Sequence, residues 1–468
     1  MVDDSMIVKS APEEPPRARD RFRTLLIVLG GLFVVMVSLW QSTGDLRVSR
    51  YHPDESRWIN RAQHLAELSD PLGSYWSDAY LIRGQPPMGS YITGLGLAVQ
   101  GYDLNLTGPW NFSFGNEGDI SWNVTYGNMP SAELLMDARH TSIAIGALLC
   151  LAVYLIVTLL TNCIGGAVAG LFMAIHPLNV YLSTLAVSDV AFTCVVALSV
   201  LTTIWLARNP SWPRTILLGV TLGIGASLKL SPMFVSVGLA AIGLLILAWP
   251  LAMRIRPLEW FWRRMGANTI STRRLGWMLL ALPLITGAFF VASYPYLWSD
   301  PIGRTDVLFD FRRAEMRAQS RIWGGAAIGS RTEALDRIWG MLETRYSASG
   351  KVLAKLGVTN PGAGESEAGY DLPFALVGLV VFAAIALRRG FRTPHLLAFL
   401  TLLGQSIIIV LGLNVDFNRY YLPLVMFFAI GLGVGTGELA AKVTRSSLVR
   451  ERHFRRVTPL DRKTVPAA

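Results

Sequence analysis

The sequence predicts an all-α polytopic membrane protein, a bundle of ten to twelve transmembrane helices with interfacial helices in the first outer loop. Three observations carry this expectation. Of 468 residues, 52% are hydrophobic and only 16% charged, against about 25% charged in soluble domains. Apolar stretches recur along the whole chain, so it reads as one membrane body and not as a soluble domain with an anchor. Arg and Lys gather in tails and short connections between those stretches, which is the positive-inside pattern. The net charge of +10 therefore reports topology, and no nucleic-acid partner is expected.

Residues 1–23, rich in Pro, Asp, Glu and Arg, read as a disordered cytoplasmic tail. Arg17, Arg19, Arg21 and Arg23 precede the apolar run 24–40 with no small-x-small cleavage site after it, as in an uncleaved first span. One membrane domain then extends over 24–440, followed by a basic cytoplasmic tail, 441–468. In the outer loop 41–85, Tyr51-His52-Pro53-Asp54-Glu55-Ser56-Arg57-Trp58 leads into an amphipathic segment with Trp58, Leu65 and Leu68 on one side, suited to the interface. Pro86-Pro87 breaks the chain just before an apolar run that ends near Val99. The loop 102–137 holds five acids and no Lys or Arg, so it belongs outside. Its sequons at Asn105, Asn111 and Asn123 are frequent by chance in Asn-rich loops, and no modification is assigned.

Further spans are expected near 140–160, 164–184, 187–206, 214–230 and 232–250. Arg254, Arg256, Arg263, Arg264, Arg273 and Arg274 mark a cytoplasmic connection. A span at 277–297, an outer loop 298–370 and spans near 372–387, 394–412 and 420–438 complete the chain, with Arg388, Arg389 and Arg392 at a cytoplasmic turn. The acidic loop 102–137 lies outside only if 86–101 is re-entrant or the spans between 140 and 250 number differently.

Asp54 and Glu55 form an acidic pair at the membrane surface. A carboxylate in a partly dehydrated cleft can act as a general base or bind a cation; alternatively Asp54 caps the helix that follows. Asp189 opens an apolar run, where it either serves function or makes an ordinary cap with Ser188. Cys150, Cys163 and Cys194 lie in or beside apolar segments and read as core residues. His52 and His176 have no further ligand at suitable spacing on a shared helix face. The aromatics from Tyr294 to Trp298 read as an interfacial belt or as a wall for a ligand. The basic segment 309–321 reads as a lipid-phosphate contact or as a solvated helix face.

His52-Pro53-Asp54-Glu55, Pro86-Pro87, Asp189 after His176-Pro177, Lys229 in Ser227-Leu228-Lys229-Leu230-Ser231-Pro232, and Asn418-Arg419-Tyr420-Tyr421-Leu422-Pro423 occur in an order that resembles the lipid-carrier-dependent glycosyltransferases. The resemblance covers about 20–440 and is to the GT-C class near the protein O-mannosyltransferases and aminoarabinose transferases, family 39-like. It implies a GT-C-like bundle that moves a hexose or pentose, with inversion, from a polyprenyl-phosphate donor to an extracytoplasmic protein, lipid or glycan. Asp54 would be the base and Glu55 would orient acceptor or sugar. A departing phosphate wants positive charge, for which Arg83, Arg139, Lys229 and Arg419 are candidates, with Tyr420 beside them and Asp189 as a second polar wall.

Where the family commonly has Lys before the double proline, this chain has Gln85; Arg83 either takes over that contact or is a plain interfacial anchor. No cofactor is implied, with a divalent cation as the alternative. Expected partners are the lipid-linked sugar, the acceptor and membrane lipids, and the expected place is a bacterial inner membrane with the site on its extracytoplasmic face. The competing readings are a transporter, which would need an inverted repeat not visible here, and another enzyme using polyprenyl phosphates. For many of the latter, the loop 298–370 is small to be their separate soluble domain.

Overall fold

The computed structural model describes residues 16–46, 49–77, 82, 84–105, 120–249, 265, 270–357 and 370–457. Arg83, Asn111, Arg254, Arg256, Arg263, Arg264, the first 15 residues and residues 458–468 lie outside the described residues. What is described is helical, with one isolated bridge between Ala327 and Val415.

Among the described residues seven helices are long and apolar enough to cross a membrane, and the protein is integral to one. The first, α1 (Pro16–Leu46), leaves Leu25, Leu29, Phe33 and Met36 exposed, as lipid-facing side chains are, while Tyr154 donates to its Ile27 carbonyl at 2.9 Å. The short helix α2 (Asp54–Asn60) and α3 (Met88–Val99) follow. Next come α4 (Ala132–Leu160), α5 (Cys163–Ile175) and α6 (Pro177–Ser183). The last two meet at a 60° bend, because Pro177 cannot continue the helix of α5; counted as one broken span, they make eight.

The chain continues with α7 (Asp189–Arg208), α8 (Trp212–Ala226), α9 (Ser231–Leu247), α10 (Ile270–Leu280) and α11 (Leu282–Ala292). At 15 and 17 residues, α8 and α9 fall short of the ~20 residues of a full crossing. The break between them, residues 227–230, carries Lys229. The 12-residue α3 rises only ~18 Å, less than a bilayer core, which fits a re-entrant segment. Then come α12 (Pro301–Ile322), α13 (Arg331–Gly340) and α14 (Ala348–Lys355). The apolar α15 (Asp371–Arg389), α16 (His395–Gly412) and α17 (Leu422–Val457) close the bundle.

The largest buried cluster joins α4, α5, α7 and α17 around Leu149, Tyr154, Met173, Val196 and Met426. Cys150 and Cys194 are buried in it as free thiols. The amphipathic segment after Asp54 is divided into α2, a short turn of helix at Gln63–Ala66 and a 3-10 turn at Glu67–Ser69. Trp58 and Ile59 point inward and Leu68 outward. Tyr294 and Tyr296, candidates for a belt, are instead buried with Trp76, Tyr91 and Phe290, so they are core residues. Asp300 caps α12 by accepting from Gly303 N at 3.0 Å.

Candidate active site

Pro53 is the residue ahead of α2 and makes no side-chain capping bond, so Asp54 is the first helical residue and not the cap. Both acids therefore sit in the first turn, where the helix dipole favours negative charge. Adjacent on the turn, their side chains diverge into different surroundings.

Glu55 turns inward and is fully buried. Arg139 of α4 reaches it with two parallel hydrogen bonds, Nε to Oε1 and Nη2 to Oε2, each 2.8 Å. The backbone N–H groups of His52 and Ala186 donate to the same carboxylate, also at 2.8 Å, and Arg139 donates further to the Ser49 and Arg50 carbonyls. A bidentate pair with this many supporting bonds is a strong buried ionic contact. It fastens the loop that carries Asp54 to α4 and to the turn ahead of α7. Glu55 and Arg139, expected to touch acceptor and donor, do not line the cavity described next.

Asp54 turns the other way, into a cavity of about 410 Å³, and pairs there with Arg419. Burial pushes its carboxyl up, but the Arg419 guanidinium, with His52 and Arg57, outweighs burial and holds it below the ordinary aspartate value. Burial likewise opposes the charge on Arg419, and Asp54 and Asp189 override it and raise its pKa. Asp189, the first residue of α7, faces the same space and pairs with Lys229. The alternative reading of this position as a cap is not realised, since the Ser188 side chain makes no capping bond.

Tyr420 links the two ion pairs: its ring centroid lies 5.2 Å from Lys229 Nζ and 5.7 Å from Arg419 Cζ, within cation–π range. Four of the residues expected from sequence, Asp54, Asp189, Lys229 and Arg419, thus share one cavity with Tyr420. Arg83 lies outside the described residues.

The backbone explains this convergence. Met88 N donates to the Ser227 carbonyl at 3.0 Å, so the turn at Pro86 and Pro87 is tied to the break that carries Lys229. Gly89 allows close approach there: a Cβ on it would lie 2.6 Å from the Trp58 ring and 2.9 Å from Ser188 Cβ. Gln85 also reaches the cavity and accepts from Arg61 Nη1 at 2.6 Å.

Sequence reasoning did not single out Arg57 or Arg61, which line the cavity. Their spacing was the available signal: Asp54, Arg57 and Arg61 fall about one turn apart, on one side of a helix. Along α12, Phe309, Arg312, Arg313, Met316 and Gln319 complete the wall, so the basic segment 309–321 faces the site. Six cationic and three acidic side chains line the cavity, an excess suited to an anion. Phe192, Phe234, Leu228, Ile408 and Ile409 give the cavity an apolar stretch of wall as well. Among the described residues no group of three or more His, Cys, Asp or Glu could hold a metal ion.

Residues 132–262 match the family described as dolichyl-phosphate-mannose-protein mannosyltransferase. The likeness to GT-C glycosyltransferases expected from the motifs is therefore present, over the stretch that includes Arg139, Asp189 and Lys229. No curated protein matches the sequence.

Among solved structures, the apo oligosaccharyltransferase of Archaeoglobus fulgidus is similar at 13% identity and a TM-score of 0.47, over 90% of this chain and 52% of that one. ArnT from Cupriavidus metallidurans bound to undecaprenyl phosphate is similar at 17% identity and a TM-score of 0.46, over 88% of this chain and 59% of that one. The chain thus spans about half the length of the first and under two thirds of the second.

Proposed function

We propose that this protein is an inverting membrane glycosyltransferase that moves one sugar from a polyprenyl-phosphate donor to an acceptor hydroxyl, with Asp54 as general base. The observation that carries the reading is the meeting, in one cavity of a membrane bundle, of a carboxylate, Asp54, with the two cations Arg419 and Lys229 around Tyr420. The family match over 132–262 supports the same class.

The donor phosphate lies between Arg419 and Lys229, and its prenyl chain leaves along the apolar wall. The acceptor oxygen attacks the anomeric carbon from the face opposite the phosphate. As the new C–O bond forms, the bond from that carbon to the phosphate oxygen breaks and the acceptor proton passes to Asp54. The phosphate leaves with an added negative charge, which the two cations match better than they match the donor. That difference is what accelerates the step.

Before donor binds, Arg419 holds Asp54 ionised. Phosphate draws the guanidinium toward itself and returns basicity to Asp54 when it is needed. Glu55 and Arg139 position this carboxylate from behind. The charge pattern of the sequence, acids without Lys or Arg over 102–137 and Arg-bearing connections elsewhere, supports a site on the extracytoplasmic face of the membrane.

The test is transfer from radiolabelled polyprenyl-phosphate sugars, hexoses and pentoses, in membranes carrying wild type or Asp54→Asn, with donor hydrolysis followed separately. Donor-dependent transfer by wild type alone is the expected result. Equal transfer by both would remove Asp54 as the base.

A further inference from the structure

Arg419 stands in a short 3-10 turn, Asn418–Tyr420, between an irregular segment and α17. A single turn of this kind has little intrinsic rigidity, yet its arginine must meet Asp54 and Tyr420 at once. The turn is held from behind by Asp416, a carboxylate only 4% exposed that is not among the residues lining the cavity.

Asp416 Oδ1 accepts from the Tyr421 hydroxyl at 2.7 Å, closing a ring over residues 417–420. Its Oδ2 lies 3.0 Å from Arg345 Nη2 and 3.4 Å from Arg337 Nη1, on segments that follow α12. Its own N–H donates to the Ala326 carbonyl at 2.7 Å, beside a bond from Ile328 N to the Asn414 carbonyl at 2.9 Å. Asn418 adds a bond to the Tyr346 hydroxyl at 2.7 Å. These bonds come from the 324–346 stretch and from Tyr421. They tie the turn to the loop that follows α12, while Arg419 itself meets Asp54 in the cavity.

We propose that Asp416 is a positioning residue: it closes the 417–420 turn and thereby sets where Arg419 stands in the cavity. The inference rests on the reading of Asp54 and Arg419 given above, and it adds a residue that touches neither donor nor acceptor. Asp416→Asn keeps the size of the side chain but loses the charge that gathers Arg337 and Arg345. Tyr421→Phe leaves those ion pairs and removes only the closing bond, and it serves if the first variant folds poorly.

The experiment uses the full chain in detergent, with backbone hydrogen exchange over 417–421 measured beside donor KM, kcat and the pH profile of transfer. Both variants are expected to exchange faster at these amides and to raise donor KM about tenfold, the scale of one displaced charge-assisted bond, with a smaller change in kcat. The acid limb of the profile moves to higher pH, because Arg419 no longer sits firmly on Asp54. In an Arg419→Gln background neither variant alters KM or the acid limb further.

Unchanged exchange at 417–421 overturns the proposal. So does a loss of thermal stability with KM and pH profile untouched, or an effect on KM that multiplies with Arg419→Gln. Faster exchange in a chain whose wild type transfers no sugar would sink the transferase reading while upholding the clamp.

Discussion

Replacing Glu55 by Gln should chiefly destabilise the protein, and its size follows from the four hydrogen bonds the carboxylate accepts. Gln has one acceptor oxygen and presents an N–H₂ group to the remaining donors. Whichever way the amide turns, two donors face it without an acceptor, and the fully buried Arg139 charge loses its counter-ion. Removing one partner of a buried pair costs about 3–5 kcal/mol, of the same order as two charge-assisted hydrogen bonds at about 1.5–3 kcal/mol each.

The double variant Glu55→Gln, Arg139→Gln removes both charges together and should recover part of that loss. A coupling energy of about 2 kcal/mol is expected, within the range for residues in one network. Denaturant or thermal unfolding of the purified chain in detergent measures it, with far-UV circular dichroism as the probe. Additive effects within about 0.5 kcal/mol, or a stable Glu55→Gln protein that has lost only transfer, would refute the anchoring role and return Glu55 to the chemistry.

Asp54→Asn should fold normally and lower kcat by about 10²–10⁴-fold, the span of general-base catalysis; full activity would dismiss it. Because Asp54 is held below its ordinary value, transfer should persist into acid, and its acid limb should rise when Arg419 is replaced by Gln. The sign for stability is the same: a lowered native pKa stabilises the fold above the unfolded value, and that contribution is lost as pH falls through the native one. A limb that falls on replacing Arg419 would be inconsistent with the pairing. Asp189→Asn releases Lys229 and should change donor KM more than it changes acceptor KM, read by initial rates. Gly378→Val should destabilise the contact of α15 with α17 by about 1–3 kcal/mol, since even a Cβ there would lie 2.5 Å from the Gly431 carbonyl oxygen; unchanged thermal unfolding would count against that helix contact.

The membrane class was legible because hydropathy and charge asymmetry are averaged over long stretches, and single residues matter little to them. Span number was less so. Run lengths at 214–230 and 232–250 suggested full crossings, whereas the helices stop at 15 and 17 residues around the break at 227–230. A polar break within an apolar stretch leaves almost no mark on a window average.

At the site, the order of short motifs pointed to Asp54, Asp189, Lys229 and Arg419, which converge on one cavity. The separation of Glu55 from Asp54 was not legible. Neighbouring residues on a helix point about 100° apart, and which direction is core depends on α4, some eighty residues later. For Arg139 the sequence shows a cation near a span end, and the Glu55 carboxylate it pairs with becomes its neighbour only through folding. Asp416 escaped notice for the same reason, since its partners Arg337, Arg345 and Tyr421 become neighbours only through folding.

Binding and transfer measured on the same purified preparations test the division of labour in the cavity most directly. Polyprenyl-phosphate affinity and sugar transfer should be compared for wild type, Asp54→Asn, Lys229→Gln and Arg419→Gln. Asp54→Asn is expected to bind the lipid phosphate at least as tightly as wild type while transferring almost nothing, and both cation variants to lose affinity. Lipid phosphate bound equally well by all four proteins would contradict a phosphate site at Lys229 and Arg419, and with it the assignment of this cavity to the donor.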